Sequence, residues 1–167
     1  MKESDELKKE SKGKFIVAAN AFIFKDNKIL ITKRSSSRDH DPNKWECVSG
    51  RFNQNFGTVE DELLREIRDE LGDNFKIRLI APISFYHFYK GDDPQAEMVG
   101  INYICEYISG SIALSEEHTD YKWIKPASLI DFYTDPKLIT DVNHLIDVKD
   151  IYLSNKAMLQ KYFKKSN

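Results

Sequence analysis

Apolar residues along this chain follow two rhythms: clusters rich in β-branched and aromatic side chains, which suit strands, and a stretch with the spacing of a helix. "FIVAANAFIF" (Phe15 to Phe24) and "KILITKR" (Lys28 to Arg34) are of the first kind, and "KDN" between them reads as a tight turn, so a hairpin is predicted. The polar loop "SSSRDHDPNK" separates it from "WECVSG", a short predicted strand ending at Gly50. Further on, "KIRLIAPISFYHFYK" and "MVGINYICEYIS" are predicted strands joined by the polar "GDDPQAE". "GSIAL" and "YKWI" are candidate short strands on either side of "SEEHTD". From Pro126 to Lys165 the pattern is mostly helical, with helices expected around Lys137 to Ile146 and Tyr152 to Phe163.

The helical rhythm is carried by "LLREIRDELGD", Leu63 to Asp73. With each residue about 100° after the last, Leu63, Leu64, Ile67 and Leu71 fall in one apolar arc suited to packing on a core. Thr58 is a good N-cap, Asp61 supplies an acid to the first turn, and Gly72 is a natural stop. Beside the apolar arc lies a second, Glu62, Glu66, Asp69 and Glu70, in which Glu62/Glu66 and Glu66/Glu70 stand one turn apart. Like charges at that spacing disfavour a helix by roughly 0.2–0.5 kcal/mol per pair. Arg65 relieves part of this, with Asp61 and Asp69 four residues to either side and Glu62 three before, but it cannot serve every carboxylate. Two explanations stand open: a solvated acidic face, or a cluster of hard oxygen ligands for a divalent cation. In the second, metal would turn the repulsion into attraction, with waters and substrate phosphates filling the remaining positions.

The 167 residues, 41% hydrophobic, suit one globular domain with a full-sized core, and a mixed sheet with helices on its faces is the economical arrangement. Residues 1–13 are charged and are expected to form a flexible lead-in, leaving 14–167 as the expected domain. That lead-in lacks the apolar segment of a signal peptide, and no apolar run approaches membrane-spanning length, so a cytoplasmic location without membrane contact is expected. The formal net charge of -2 gives no reason to expect extended nucleic-acid binding, though a local basic pocket for phosphates is compatible with it. Cys47 and Cys105 form no CxxC pair and are expected as buried free thiols, with neither zinc nor a disulfide.

"GRFNQNFGTVEDELLREIRDELGD" resembles the signature box of the Nudix hydrolase family, which runs Gly, five residues, Glu, seven residues, then Arg-Glu-apolar-any-Glu-Glu-any-Gly-apolar. Arg65, Glu66, Ile67, Asp69, Glu70 and Gly72 fall in step with its second half, with aspartate for the first glutamate of the pair. The first half is out of step: Gly50 is one residue too far from Arg65, Gly57 holds the place of the isolated glutamate, and Asp73 that of an apolar residue. "KILITKRS" is similar to the family's second strand, and "NKWECVSGR" to its Trp-Glu-any-Pro-Gly-Gly approach, with Val48 and Ser49 for proline and glycine. "LSEEHTDYKWIKPASL" resembles the Glu-His…Trp segment that often follows the box.

The resemblance implies an α+β fold, an α/β/α sandwich around a mixed β-sheet, and Mg2+ as cofactor, with Mn2+ able to substitute. The implied reaction is hydrolysis of the phosphoanhydride of a nucleoside diphosphate linked to another group X, either a nucleoside triphosphate or a nucleotide sugar. Glu66 and Glu70 are the first-choice metal ligands, Asp69 completes the cluster, and the Gly50 carbonyl is a further ligand. Arg65 is assigned to orienting the carboxylates. Glu117, directly before His118, either reaches the metal cluster or acts as general base, or is a solvated loop acid. Arg34 and Arg51 are candidates for substrate phosphates, and Trp45, Phe85, Tyr86, Phe88 and Tyr89 either stack on a base or pack within the fold. The histidines share no metal-binding spacing and carry no assignment. A small-molecule nucleotide is the expected partner, and a homodimer is left open. The rival functions are a dinucleoside polyphosphate or cap-type hydrolase, and an inactive Nudix fold that senses a nucleotide.

Overall fold

The computed structural model describes residues 14–53, 57–89, 96–132, 144–152 and 154–155. β1 (Ile16–Lys25) passes into β2 (Lys28–Arg34) through Asp26 and Asn27, with φ of 48° and 60°. Positive φ at both central residues is the geometry whose twist matches paired strands, and Asp and Asn tolerate it. The hairpin is paired only at its tip, Phe24 with Ile29 and Lys25 with Lys28. There the strands part, and "WECVSG" fills the gap as two strands instead of the single one expected. β3 (Trp45–Glu46) pairs with β2, while β4 (Val48–Arg51) pairs with β1 and runs one residue past Gly50. The chain crosses from one partner to the other at Cys47, which is why the ladder breaks there.

β5 (Lys76–Tyr89) pairs antiparallel with β6 (Glu97–Ser109), and β6 lies parallel to β1 from Ile16/Met98 to Phe24/Glu106. β7 (His118–Ile124) closes on the other edge of β2, completing a seven-stranded mixed sheet. Alternation along β1 divides the core between the two faces. Ala19, Ala21 and Ile23 meet Leu63, Ile67 and Leu71 of α1 (Val59–Leu71), whereas Phe22 and Phe24 meet Leu129 and Leu145. The three α1 side chains are at most 1% exposed, and burying each contributes about 1.5–3 kcal/mol.

Thr58 caps α1 as expected, its Oγ accepting the Asp61 N–H at 3.1 Å. At the other end the Leu71 and Glu70 carbonyls accept the N–H groups of Ala113 and Ser115, at 2.8 and 3.0 Å. "GSIAL" is therefore not a strand: its Ala113 N–H, and that of Ser115 just after it, serve the end of a helix. "YKWI" lies inside β7, which starts earlier than expected and takes up His118, Thr119 and Asp120. Pro126–Asp131 forms a 3-10 turn. Residues 144–152 are helical, across the break expected between Ile146 and Tyr152, because Leu145, Val148 and Tyr152 recur at helical spacing and pack inward. Lys137 to Asn143 and Lys156 to Phe163, the rest of the two expected helices, lie outside the described residues. Cys47 and Cys105 are buried free thiols, and burial pushes the Cys105 thiol up. No described helix is long and apolar enough to cross a membrane.

Candidate active site

β2, β4, α1 and the loop after β2 enclose a cleft of about 380 Å³. Its floor is built where β4 runs under α1: Gly50 faces Glu66 so closely that a Cβ on it would lie 2.6 Å from Glu66 Oε2. Only glycine allows this approach. Glu66 and Glu70 project from α1 into the same space, with Glu46, Arg34, Arg51 and Glu117 around them. A smaller cavity, about 250 Å³, lies by the β1–β2 turn and Lys149, and none of the sequence-derived site residues lines it.

Glu70 is the most constrained of these acids. It is 6% exposed, and its Oε2 is buried without a hydrogen-bond partner among the described residues. Burial pushes its carboxyl well above the usual range, the negative charges of Glu46, Glu66 and Glu117 push further, and Arg34 opposes them. Burial likewise raises Glu66, against the pull of Arg65. The imidazole Nδ1 of His118, also buried and unpartnered, stands 4.0 Å from Glu70 Oε2. The other ring nitrogen meets Glu46 Oε1 at 3.0 Å, and Arg34 Nη1 donates to both Glu46 oxygens at 2.9 and 3.0 Å.

Arg65 does the tying that its position in the sequence suggested. Its guanidinium donates to Glu66, to Glu62 at 2.7 Å and to Asp69 at 2.5 Å. Glu62 also accepts the Asn53 backbone N–H and the Asn53 amide, at 3.2 and 3.1 Å. These donors, Arg65 first, hold its carboxyl down to about 2. Asp69 is not among the residues lining the cleft: its side chain is 59% exposed and turned to Arg65, one turn back. The cluster expected from the arc is thus divided, with Glu66 and Glu70 at the cleft and Asp69 outside it. Glu117 lies at the rim, 2.9 Å from Arg38, and Arg51 is exposed at the end of β4.

Of the aromatic candidates, Tyr86 and Phe88 reach the cleft and stack on one another, centroids 5.7 Å apart. Phe85 is exposed, Trp45 packs edge-on against Phe132, and Tyr89 meets His87. Three residues without a sequence assignment belong to the site: Glu46, His118 and Arg38. Glu46 sat in the quoted "NKWECVSGR", and His118 beside Glu117, but local spacing does not show that β3 and β7 flank β2 and so bring them together.

Hard oxygen donors and an orphaned buried carboxylate oxygen fit a divalent cation of the magnesium type. Among the described residues no three His, Cys, Asp or Glu side chains form a ready-made cage. A magnesium ion characteristically takes one or two carboxylates and completes its shell with water and substrate phosphate.

A family model described as NUDIX domain matches residues 14–142. Nucleoside triphosphatase NudI of Escherichia fergusonii is 29% identical over 116 residues, 66% of this chain and 82% of that protein. NudI of Shigella flexneri is 28% identical over the same shares. Among solved structures, a MutT protein from Methanosarcina mazei superimposes with a TM-score of 0.66 at 19% identity, covering 84% of this chain and 98% of that one. An Ap4A hydrolase of C. elegans gives 0.63 at 12% identity, over 81% and 98% of the two chains.

Proposed function

The chain belongs to the Nudix hydrolase family, and from that premise we propose that it hydrolyses the phosphoanhydride of a nucleoside diphosphate linked to another group, with nucleoside triphosphates as the first substrates to test. The observation that carries this reading is Glu70: a carboxylate buried with an unpartnered oxygen, among three further acids, is a charge deficit that a bound cation would fill. Glu66, Glu70 and the Gly50 carbonyl would hold Mg2+, or Mn2+ in its place, and Asp69 serves by anchoring Arg65. Such an ion neutralises phosphate oxygens and activates water when bound.

The chain's own groups do the rest. Arg65 fixes the Glu66 carboxylate, and His118 and Arg34 fix Glu46 beside it. Glu117, with a 43% exposed side chain at the rim, takes the proton of the attacking water. Arg51 at the end of β4 receives phosphate oxygens, and the Tyr86/Phe88 pair offers an aromatic face to the base. Release of phosphate or pyrophosphate from a panel of nucleoside triphosphates and nucleotide sugars, with magnesium and with excess EDTA, tests the reading. Turnover that needs the metal is expected. Full activity in EDTA, or no turnover of any panel member, would overturn it.

A further inference from the structure

Arg34 and Arg38 both line the cleft, and their donors are placed very differently. Arg34 donates Nε to the His40 carbonyl at 2.9 Å and Nη1 to Glu46. Its Nε and Nη1 are spent inside the protein. Arg38 makes one ion pair, Nη1 to Glu117 Oε1 at 2.9 Å, and its Nε is buried with no acceptor among the described residues. The turn that carries it is firmly placed: the Ser35 N–H donates to the Glu117 carbonyl at 2.8 Å, and the Arg38 N–H to the Ser35 carbonyl at 3.3 Å. Arg38 therefore lines, with an oriented guanidinium whose Nη2 has no acceptor among the described residues, a cleft otherwise dominated by acids.

We propose that Arg38 is a phosphate-receiving residue of this site, and that substrate phosphate takes the place that the Glu117 carboxylate holds on its guanidinium. The proposal rests on the hydrolase reading above for the substrate class, a nucleoside polyphosphate. An ion pair whose side chains are 30% and 43% exposed is weak, so the exchange costs little. A phosphate carries more charge than a carboxylate and accepts two parallel N–H bonds from a guanidinium, here from its two Nη groups. The exchange also frees Glu117 when substrate is in place. Arg34, in contrast, positions Glu46 through its Nη1.

The test is a binding cycle with methylenediphosphonate, a pyrophosphate analogue that cannot be hydrolysed, titrated by calorimetry into the full chain in magnesium buffer. Arg38→Gln is expected to weaken binding by about tenfold or more, as loss of a charge-assisted pair does, and Arg38→Lys to fall between it and the parent. Glu117→Gln is expected to tighten binding in the parent but not in the Arg38→Gln background, because the competition it removes is for Arg38. Melting temperatures close to the parent's show that the variants fold. Unchanged affinity in Arg38→Gln, or a Glu117→Gln gain that survives without Arg38, would overturn the proposal. With a substrate from the panel, Arg38→Gln should raise KM more than it lowers kcat. If the parent hydrolyses nothing, the hydrolase reading fails while the binding cycle still decides the role of Arg38.

Discussion

Glu62 and Glu70 stand on the same arc of one helix, 7% and 6% exposed, and their surroundings are opposite. Glu62 is met by Arg65 and by both N–H groups of Asn53, and stays ionised to about 2. Glu70 keeps an oxygen with no partner among the described residues, beside three acids, and is pushed well above its usual range. Burial alone thus says little about what an acid does, and the partners that the fold supplies or withholds divide the arc. At the start of α1 a carboxylate holds a loop, and at its end another keeps an oxygen without a partner among the described residues.

The largest expected effect separates the two in catalysis. Glu70→Gln keeps shape and removes a charge, so turnover should fall by several orders of magnitude, each decade being about 1.4 kcal/mol of transition-state stabilisation. Glu62→Gln loosens Arg65 and the Asn53 loop, and turnover should fall by about tenfold, as for a partner that orients a ligand. Steady-state rates on the same substrate check this, and equal losses would end the distinction. A smaller effect is thermodynamic. Magnesium at a hundred times its Kd should stabilise the fold by about 2.7 kcal/mol, read from thermal melts. Glu62→Gln should keep that shift, and Glu70→Gln should lose most of it.

The smallest effect appears in metal-free protein as pH varies. The Glu62 carboxyl is lowered in the fold from its ordinary 4.5, so its stabilising contribution is present above 4.5 and is lost as pH falls towards about 2. The Glu70 carboxyl is raised, so ionising it costs stability as pH climbs above 4.5. Denaturant unfolding in EDTA should show Glu62→Gln below the parent at neutral pH, closing on it towards pH 2. Glu70→Gln should lie above the parent at neutral pH and meet it near pH 4. Three parallel curves would show that the two acids are alike after all.

Much of the fold was legible because strand and helix are written locally. The β-branched clusters mark β1, β2, β5 and β6, and the apolar arc with Thr58 and Gly72 marks α1. Strand partners are not written locally. Nothing in "WECVSG" states that Trp45 and Glu46 will lie beside β2 and Val48 to Arg51 beside β1, since that depends on where the hairpin parts. The same ignorance hid Glu46 and His118, 72 residues apart and joined only because β2 is flanked on both edges. The orientation of Asp69 was hidden for another reason: spacing fixes the direction of a Cβ, and the remaining bonds turn its carboxylate to Arg65.

The end of α1 carries a consequence for how this chain can vary. Its last carbonyls are held by Ala113 and Ser115, and Gly110, at φ 96°, abuts the Asn74 carbonyl with no room for a Cβ. The run from Gly110 to Glu117 is irregular backbone, yet it behaves as a ruler laid between the helix end and the rim. Surface connections usually absorb insertions cheaply. Here one residue more or fewer would shift Glu117 along the chain by about 3.3 Å, beyond the reach of a single ion pair. Drift in the length of this segment is therefore closed, although little in its composition announces the restriction.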